Sequence, residues 1–314
     1  MDFVLAFEGL GKEHVAIAGG KGAQLGEMTR AGIPVPPGFV VLTSAFDEFL
    51  EENNLENMIA ELLKNVDVKK TGSVDAASKE IRDILSKARM PKNVEKEINA
   101  AFGGLGAEYV AVRSSATAED ASAASWAGEL ETYLNVTRDG LLHSVKKCWS
   151  SLFTPRAIFY RFEKNLGAKS ISVAVVVQKM VDSEVSGVAF TANPVTNDRG
   201  QIIIEAGFGL GEAIVGGLIT PDNYVVDKAE EMLLDATVNA QDKMIAKRSG
   251  KTVEAKVPKQ TREKQKLDGK TIIELARLCK RIETHYAKPQ DIEWAYEKGK
   301  LYIVQSRPIT TLNK

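Results

Sequence analysis

The sequence predicts an α+β fold divided into two lobes. Its 314 residues exceed what one small hydrophobic core usually organises. Apolar residues at helical spacing dominate the first half, whereas strand patterns dominate the second. Between them the run ISVAVVVQKMV at 171–181 is nearly continuous and β-branched, which is typical of a strand covered on both faces. We therefore expect one lobe at 1–177 and a sheet-rich lobe at 178–314.

Helical patterns and two strands alternate in the predicted first lobe. A glycine-rich opening at 19–22 leads into a helix, which prolines at 34, 36 and 37 end before a strand at 38–42. A second strand is predicted at 109–115, where Val110 and Val112 share one face. Further helices are predicted from 44 onward and at 74–87, 91–101 and 140–165.

The predicted second lobe consists mainly of strands. They lie at 184–192, 201–206, 223–227, 291–295 and 301–305. One helix at 271–286 carries an apolar stripe that indicates burial on a sheet. The lysine-rich stretch at 243–270 alternates with acidic residues, so we expect it to form a solvated surface.

Composition excludes several classes of function. The net charge of −1 and pI near 6.4 provide no field that would draw the chain to nucleic acid or anionic lipid. No stretch approaches the roughly 20 apolar residues of a membrane span. The N-terminus has no signal-peptide pattern, and the two cysteines lack metal-ligand spacing. These features predict a cytoplasmic protein with buried, reduced thiols.

Two glycine- or serine-rich segments are candidates for phosphate binding. Arg113 opens a loop of small residues at 114–128, whose amides and hydroxyls suit phosphate oxygens, although a flexible surface loop would look the same. Lys21 lies in Gly-Gly-Lys-Gly at a helix start, where free amides favour anions. This is not the GxxxxGK[ST] phosphate loop. The run GFGLGE at 207–212 lacks the third glycine of a dinucleotide fingerprint, so NAD binding is disfavoured.

The closing hairpin concentrates polar residues on its two strands. Asp291 and Glu293 share one strand face, and Gln305 and Arg307 share a face on the returning strand. A three-residue connection or a bulge would place Glu293 opposite Gln305, which gathers oxygen ligands suited to Mg²⁺. It would also place Asp291 opposite Arg307. A strict two-residue turn would separate these pairs onto opposite faces. An exposed hairpin with a cross-strand ion pair is the alternative interpretation.

Together, ten ordered motifs resemble one enzyme family. They are GGKGAQLGEM, VAVRSSATAED, ASWAGELETYLNV, SLFTPRAIFYR, VQKMV, VSGVAFTANP, GFGLGE, PDNYVV, HYAKPQDIEWA and LYIVQSRP. The set is similar to the N-terminal domain of phosphoenolpyruvate synthases and covers about residues 19–308. It also resembles the ATP-binding domains of pyruvate phosphate dikinase and rifampicin phosphotransferase. The resemblance implies an ATP-grasp-like fold with mixed or antiparallel sheets, in which ATP lies between two lobes.

The resemblance also implies roles for individual residues. Lys21, Arg113 and Arg307 would act on the phosphates as catalytic cations, and the loop at 114–128 would close over them. Residues 178–181 would form the adenine-side hinge. Glu293 and Gln305 would hold Mg²⁺, with Asp291 supporting or ligating it. The expected nucleotide and metal contacts are Lys21, Arg113, Ser114, Ser115, Thr117, Gln178, Lys179, Met180, Val181, Glu184, Asp291, Glu293, Gln305 and Arg307.

The implied reaction needs a second protein module. In this family the β-phosphoryl of ATP passes to a histidine on a swivelling domain and then to pyruvate, so that ATP, pyruvate and water give AMP, phosphoenolpyruvate and phosphate. None of the three histidines stands in the family's phosphohistidine context. We therefore expect a separate phosphohistidine domain or subunit, and a pyruvate-binding domain, as partners.

Two alternatives remain from the sequence. The acceptor could be rifampicin or a glucan, because those enzymes differ mainly in their other domains. The chain could also be a non-catalytic nucleotide-binding regulatory module. Glu129 stands where family members often carry glutamine, and a carboxylate near phosphates is unfavourable unless it is paired.

Overall fold

The computed structural model describes residues 2–117, 131–163, 172–310 and 312. The chain divides into two compact units, of which the first comprises 1–27 and 37–180 and the second 28–36 and 181–314. Each unit combines helices with an antiparallel sheet, which confirms the α+β class. Within the described ranges, none of the helices has the length and apolar character that a bilayer crossing requires.

A five-stranded antiparallel sheet organises the first unit. Its order is β1-β2-β5-β3-β4, with β1 at Val4–Ala6, β2 at Gly38–Val41, β3 at Val110–Ala116, β4 at Thr132–Val136 and β5 at Val173–Lys179. Residues 173–178 of the central strand β5 are all buried. The β-branched run was therefore correctly predicted as a strand covered on both faces.

Within the described residues, seven helices accompany this sheet. They are α1 (Val15–Arg30), α2 (Thr43–Glu52), α3 (Glu56–Lys64), α4 (Thr71–Lys87), α5 (Lys92–Leu105), α6 (Arg138–Ser150) and α7 (Pro155–Glu163). Helices α2–α7 contribute to a core that includes Phe49, Ile81 and Trp149, together with Val112 and Val175 from the sheet.

The prediction of one continuous helix at 140–165 is wrong. Helix α6 ends at Ser150, a short 3₁₀ turn covers Ser151–Phe153, and α7 starts at Pro155. Proline lacks the amide that a continuing helix needs and is well accommodated in a first helical turn. The predicted end of that helix lies outside the described residues.

A six-stranded antiparallel sheet organises the second unit, in the order β13-β12-β6-β7-β8-β9. The strands are β6 (Val185–Phe190), β7 (Gln201–Phe208), β8 (Asp222–Asp227), β9 (Met232–Thr237), β12 (Gln290–Glu297) and β13 (Lys300–Pro308). Helix α9 (Gly269–Tyr286) has Asp268 as its N-cap residue, and the Asp268 carboxylate accepts a hydrogen bond from Thr271 N–H at 2.7 Å. Its buried stripe, with Ile272, Leu275 and Cys279, confirms the predicted amphipathic helix. A short helix α8 (Glu212–Val215) and a hairpin of β10 (Lys243–Arg248) and β11 (Lys251–Lys256) complete the unit.

The sequence suggested that the lysine-rich stretch is a solvated surface, but part of this stretch is buried. The side chains of Lys266 and Asp222 are both fully buried, and Lys266 Nζ lies 2.7 Å from Asp222 Oδ1. The same carboxylate accepts from Tyr224 Oη at 2.7 Å and from Asn239 N–H at 2.9 Å. Lys266 Nζ also donates to the Asn239 carbonyl. This buried network ties the segment before α9 to strand β8.

Candidate functional site

Helix α1 breaks at Gly19, inside the predicted phosphate-binding turn. Gly19 has φ 67° and ψ 172°, so the helix stops there and restarts immediately afterward. A Cβ atom at this position would lie 2.3 Å from both the carbonyl oxygen and Oγ of Ser115. Only glycine fits this combination of positive φ and close approach. The break places a helix start directly before Lys21.

The Ser115 hydroxyl holds both sides of the break. It donates to the Ala18 carbonyl at 2.9 Å and accepts from Gly22 N–H at 3.2 Å. Gly22 lies in the first turn after the break, where amides have no partner within the helix. Strand β3 therefore fixes the turn that carries Lys21, a half-buried residue.

Strand register brings further predicted residues to the same side of this sheet. Arg113 lies opposite Val176, Ser115 opposite Ala174, and Gln178 opposite Ala111. Because alternate residues share a face, Arg113, Ser115 and Gln178 lie on one face of β3 and β5. Arg113 is 8% exposed and Gln178 is 2% exposed, so neither is an ordinary surface residue.

The other predicted hydroxyls in this unit are engaged with the backbone. Ser114 Oγ donates to the Glu131 carbonyl at 3.0 Å, and Thr117 Oγ1 donates to the Ser172 carbonyl at 3.2 Å. These bonds fix both ends of the predicted phosphate loop. Its residues 118–128, together with Glu129, lie outside the described residues.

The predicted hinge residues have mainly backbone roles. Lys179 N–H donates to the Pro37 carbonyl and Met180 N–H to the Tyr109 carbonyl, both in the first unit. Val181 is buried and is the first residue of the range 181–314 in the second unit. Glu184 is exposed and accepts from Lys298 N–H at 3.3 Å, beside the β12–β13 turn.

The closing hairpin has the register that gathers the polar residues. Glu293 lies opposite Gln305 and Asp291 opposite Arg307. The tip is a two-residue turn at Lys298 and Gly299, both with positive φ. Register shifts between Glu293 and Trp294, so Val304 is an extra residue, that is, a β-bulge. Of the two registers that the sequence left open, the bulged one is correct.

Asp291 and Arg307 form an ion pair at this hairpin. The Arg307 Nε and Nη2 atoms each lie 2.9 Å from Asp291 Oδ2. Burial raises the pKa of Asp291, the Arg307 guanidinium opposes that rise, and the nearby Glu293 adds to it. Half of the Arg307 side chain stays exposed, so it can also meet an anion.

One row of side chains, polar except for Val188, crosses the sheet from this hairpin and is called the polar row below. Gln305 faces Glu293, Glu293 faces Val188, Val188 faces Glu205, and Glu205 faces Asn223. Because directly opposed residues share a face, the whole row lies on one side of the sheet. Helix α9 packs on the other side, against strands whose buried residues include Ile292 and Ile204.

Glu205 is a candidate that the sequence analysis missed. Burial raises the pKa of Glu205, and the negative charge of Asp291 raises it further. The signal was present as a single acidic residue within the apolar strand run QIIIEAGF. Alternation along β7 puts it on the face of the polar row.

The donor set of this row fits a hard cation. No group of three or more His, Cys, Asp or Glu side chains arranged for a metal occurs among the residues that the structure describes. Glu293 and Gln305 nevertheless oppose each other and offer carboxylate and amide oxygens. Mg²⁺ commonly takes one or two protein carboxylates and completes its shell with water and phosphate.

The run GFGLGE has a packing role. Gly209 has φ 89°, and a Cβ there would lie 2.3 Å from the Ile245 carbonyl oxygen. Its own carbonyl accepts from the hydroxyls of Ser183 and Ser186 at 3.0 and 2.6 Å. These contacts join β6, β7 and β10, and they account for the glycine without a dinucleotide.

Comparison with known proteins identifies the family. Residues 15–314 match the family described as pyruvate phosphate dikinase, AMP/ATP-binding domain. The chain belongs to this family. The expected membership in the dikinase family is thereby confirmed, and the site residues of both units fall within the matched range.

Relatives of this dikinase domain are similar over nearly the whole chain. A probable phosphoenolpyruvate synthase of Archaeoglobus fulgidus is 50% identical over 99% of the chain and 42% of its own length. That of Methanothermobacter thermautotrophicus is 47% identical over 99% of the chain and 46% of its own length. A rifampicin phosphotransferase of Bacillus cereus is 39% identical over 99% of the chain and 36% of its own length. The chain thus spans less than half of each of these relatives.

Proposed function

We propose that the chain binds ATP with Mg²⁺ and transfers the β-phosphoryl group to a histidine on a separate domain. The full system would convert ATP, pyruvate and water to AMP, phosphoenolpyruvate and phosphate. We assign an ATP-grasp-like fold to the chain. Family membership supports this proposal, and so does the polar row on the second unit's sheet.

The register of β12 and β13 is the observation that carries the proposal. It puts Glu293 and Gln305 side by side, with Arg307 and Asp291 two residues along on the same face. A structural hairpin does not need two carboxylates, an amide and a guanidinium on one face. Phosphoryl transfer does, because it relies on positioning and charge stabilisation more than on covalent protein chemistry.

Each of these residues has a proposed task. Glu293 and Gln305 would hold Mg²⁺, which supplies charge neutralisation and orientation for phosphate oxygens when bound. Asp291 orients the Arg307 guanidinium through the observed ion pair. Arg307 would then stabilise negative charge on the transferring phosphoryl group. Glu205 adds a further carboxylate to the row and would draw divalent cations to this face.

In the first unit we propose Lys21 and Arg113 as phosphate ligands. The Gly19 break and the Ser115 hydroxyl present Lys21 at a helix start, where backbone amides favour anions. Arg113 lies on the same sheet face as Ser115. A buried arginine offers a rigid fork that suits phosphate oxygens. Residues 178–181 would provide backbone contacts to the base.

Pyruvate is the proposed final substrate. The phosphoenolpyruvate synthases above are 47–50% identical to the chain, whereas the rifampicin phosphotransferase is 39% identical. Neither name by itself assigns an acceptor to this chain. The proposal predicts that AMP forms from ATP only when a phosphohistidine domain of synthase type is supplied.

Calorimetry of ATP binding with and without Mg²⁺ tests the nucleotide site. We expect Mg²⁺ to strengthen binding in the native chain but not in Glu293→Ala, because that variant loses a metal oxygen. Glu297→Ala on the same strand is the matched control and should bind like the native chain. Equal ATP affinity in native chain and Glu293→Ala at every Mg²⁺ concentration would exclude the assigned metal ligand.

Catalysis needs a second experiment. ATP labelled in the β-phosphate, mixed with a synthase-type histidine domain, should label that domain. Arg307→Ala should cut labelling by about 100-fold or more, in the range found when one charge-stabilising donor is removed. Its thermal midpoint should stay near that of Lys300→Ala, a control on the same strand. A collapsed midpoint with normal labelling would instead make Arg307 a structural residue.

A further inference from the structure

A second candidate site lies on the second unit, on the side of its sheet that α9 covers. An open cleft of about 490 Å³ is lined by Ala31, Ile33, Glu231, Arg277, Lys280, Arg281, Thr284 and His285. All of these residues belong to the same unit. None takes part in the polar row of Glu293 and Gln305, and the proposed nucleotide chemistry does not use them.

The cleft has an excess of positive charge. Arg277, Lys280 and Arg281 carry permanent charges, and Glu231 is the only acid among its lining residues. The three cations against one carboxylate leave two positive charges uncompensated. The cleft volume lies within the roughly 300–1,000 Å³ typical of small-molecule sites.

The arrangement of the cations on α9 is unfavourable for the helix alone. Arg277 and Arg281 lie four residues apart on α9, so their side chains share one face of the helix. Like charges at this spacing repel each other. The helix dipole favours cations near Tyr286, where α9 ends, but its effect fades within the last turn and does not reach Arg277.

Glu231 partly fills the role of an anionic ligand. Its carboxylate lies 2.6 Å from Arg277 Nε and 3.5 Å from Lys280 Nζ. The backbone of Glu231 has φ 53°, a conformation that is rare for glutamate. The β8–β9 turn thus holds a carboxylate against two of the cations. Arg281, by contrast, has no ion pair or hydrogen bond among the described residues.

We propose that this cleft binds a small polyanion, that is, a compound with two or more phosphate or carboxylate charges. Arg277 and Arg281 would grip its anionic groups through their guanidinium forks. Ala31 and Ile33 would contact its apolar part, since both lie in the lining. Glu231 would compete with this ligand for Arg277 and Lys280, and it therefore lowers the affinity of the cleft for anions.

Calorimetric titration of the full chain with pyrophosphate and, separately, with citrate tests the proposal. We expect at least one of them to bind, with affinity at least 10-fold lower in Arg281→Ala and several-fold higher in Glu231→Gln. Lys270→Ala, an exposed residue on the same helix, is the control and should leave binding unchanged. Pyrophosphate alone would identify a phosphate site, and citrate alone a carboxylate site.

The nucleotide site must be separated from this cleft. Binding that survives in Arg307→Ala and disappears in Arg281→Ala belongs to the cleft. Binding that disappears in Arg307→Ala and survives in Arg281→Ala belongs to the proposed ATP site, and the inference would be overturned. It would also fail if only an acidic peptide such as hexaglutamate bound, since the cleft would then dock a protein. Circular dichroism of Arg281→Ala should match the native chain, because removing a like charge does not weaken α9.

Discussion

Replacing Lys266 with methionine should sharply destabilise the second unit. Asp222 and Lys266 are both completely buried, and the Asp222 carboxylate would remain in place without its counter-charge. It would keep hydrogen bonds from Tyr224 Oη and from the amides of Asn239 and Lys266. These neutral donors do not replace a cation at 2.7 Å.

Breaking one partner of a buried ion pair typically costs about 3–5 kcal/mol, because the remaining charge is desolvated without compensation. The cation also donates to the Asn239 carbonyl and lies 5.3 Å from the Phe208 ring centroid, and both contacts would be lost. A cost at the upper end of that range is therefore expected. For a folding unit of this size, a cost of about 5 kcal/mol corresponds to a fall in Tm of roughly 10–20 °C.

Urea unfolding of four chains would measure this effect. Lys264→Met, an exposed position nearby, should change the free energy of unfolding by less than about 0.5 kcal/mol. Asp222→Asn combined with Lys266→Met removes the uncompensated charge and should recover at least about 1 kcal/mol relative to Lys266→Met alone. A loss below about 1 kcal/mol in Lys266→Met, or no recovery in the double variant, would refute the argument.

Three further predictions concern other parts of the fold. Gly19→Ala should lower the free energy of unfolding by about 1–3 kcal/mol because of the positive φ, and by a further amount because the new Cβ clashes with Ser115. Gly32 has a similar φ but open space around it, so urea unfolding of Gly32→Ala should show only the cost of the positive φ. Burial raises the pKa of Asp47, so ionisation of this carboxyl group destabilises the folded state. In thermal melts, Asp47→Asn should therefore raise Tm at pH 7 but not near pH 3, where Asp47 is protonated in both the folded and the unfolded state. Burial raises the pKa of Cys279 to about 12 and also raises that of Cys148, so an aromatic disulfide reagent should label both thiols in denaturant and neither in the native chain.

Local patterns predicted much of the candidate site because period and side-chain type are local properties. The alternation of Asp291 and Glu293 followed from strand periodicity alone, and so did the shared face of Gln305 and Arg307. Their pairing did not follow, because one extra residue in β13 decides the register. Val304 is an ordinary strand residue and does not mark itself as a bulge.

Other features depend on contacts distant in sequence. Glu205 joins the polar row only because β6 lies between β7 and β12, and sheet order is not written in any one strand. Lys266 was expected in solvent because the lysine-rich stretch alternates with acidic residues, and its partner Asp222 lies 44 residues earlier. The start of α7 at Pro155 was different, since proline supplied a local signal for a helix boundary that apolar periodicity obscured.

The bulge at Val304 means that the effect of a length change in the closing hairpin depends on where the change falls. Deleting Val304 would still leave Glu293 opposite Gln305 and Trp294 opposite Ile303, now in an uninterrupted ladder. Inserting one residue between Gln305 and Arg307 would instead turn Arg307 to the opposite face and break its pair with Asp291. The pairing of Asp291 with Arg307 therefore tolerates a one-residue deletion at the bulge but not a one-residue insertion beyond it.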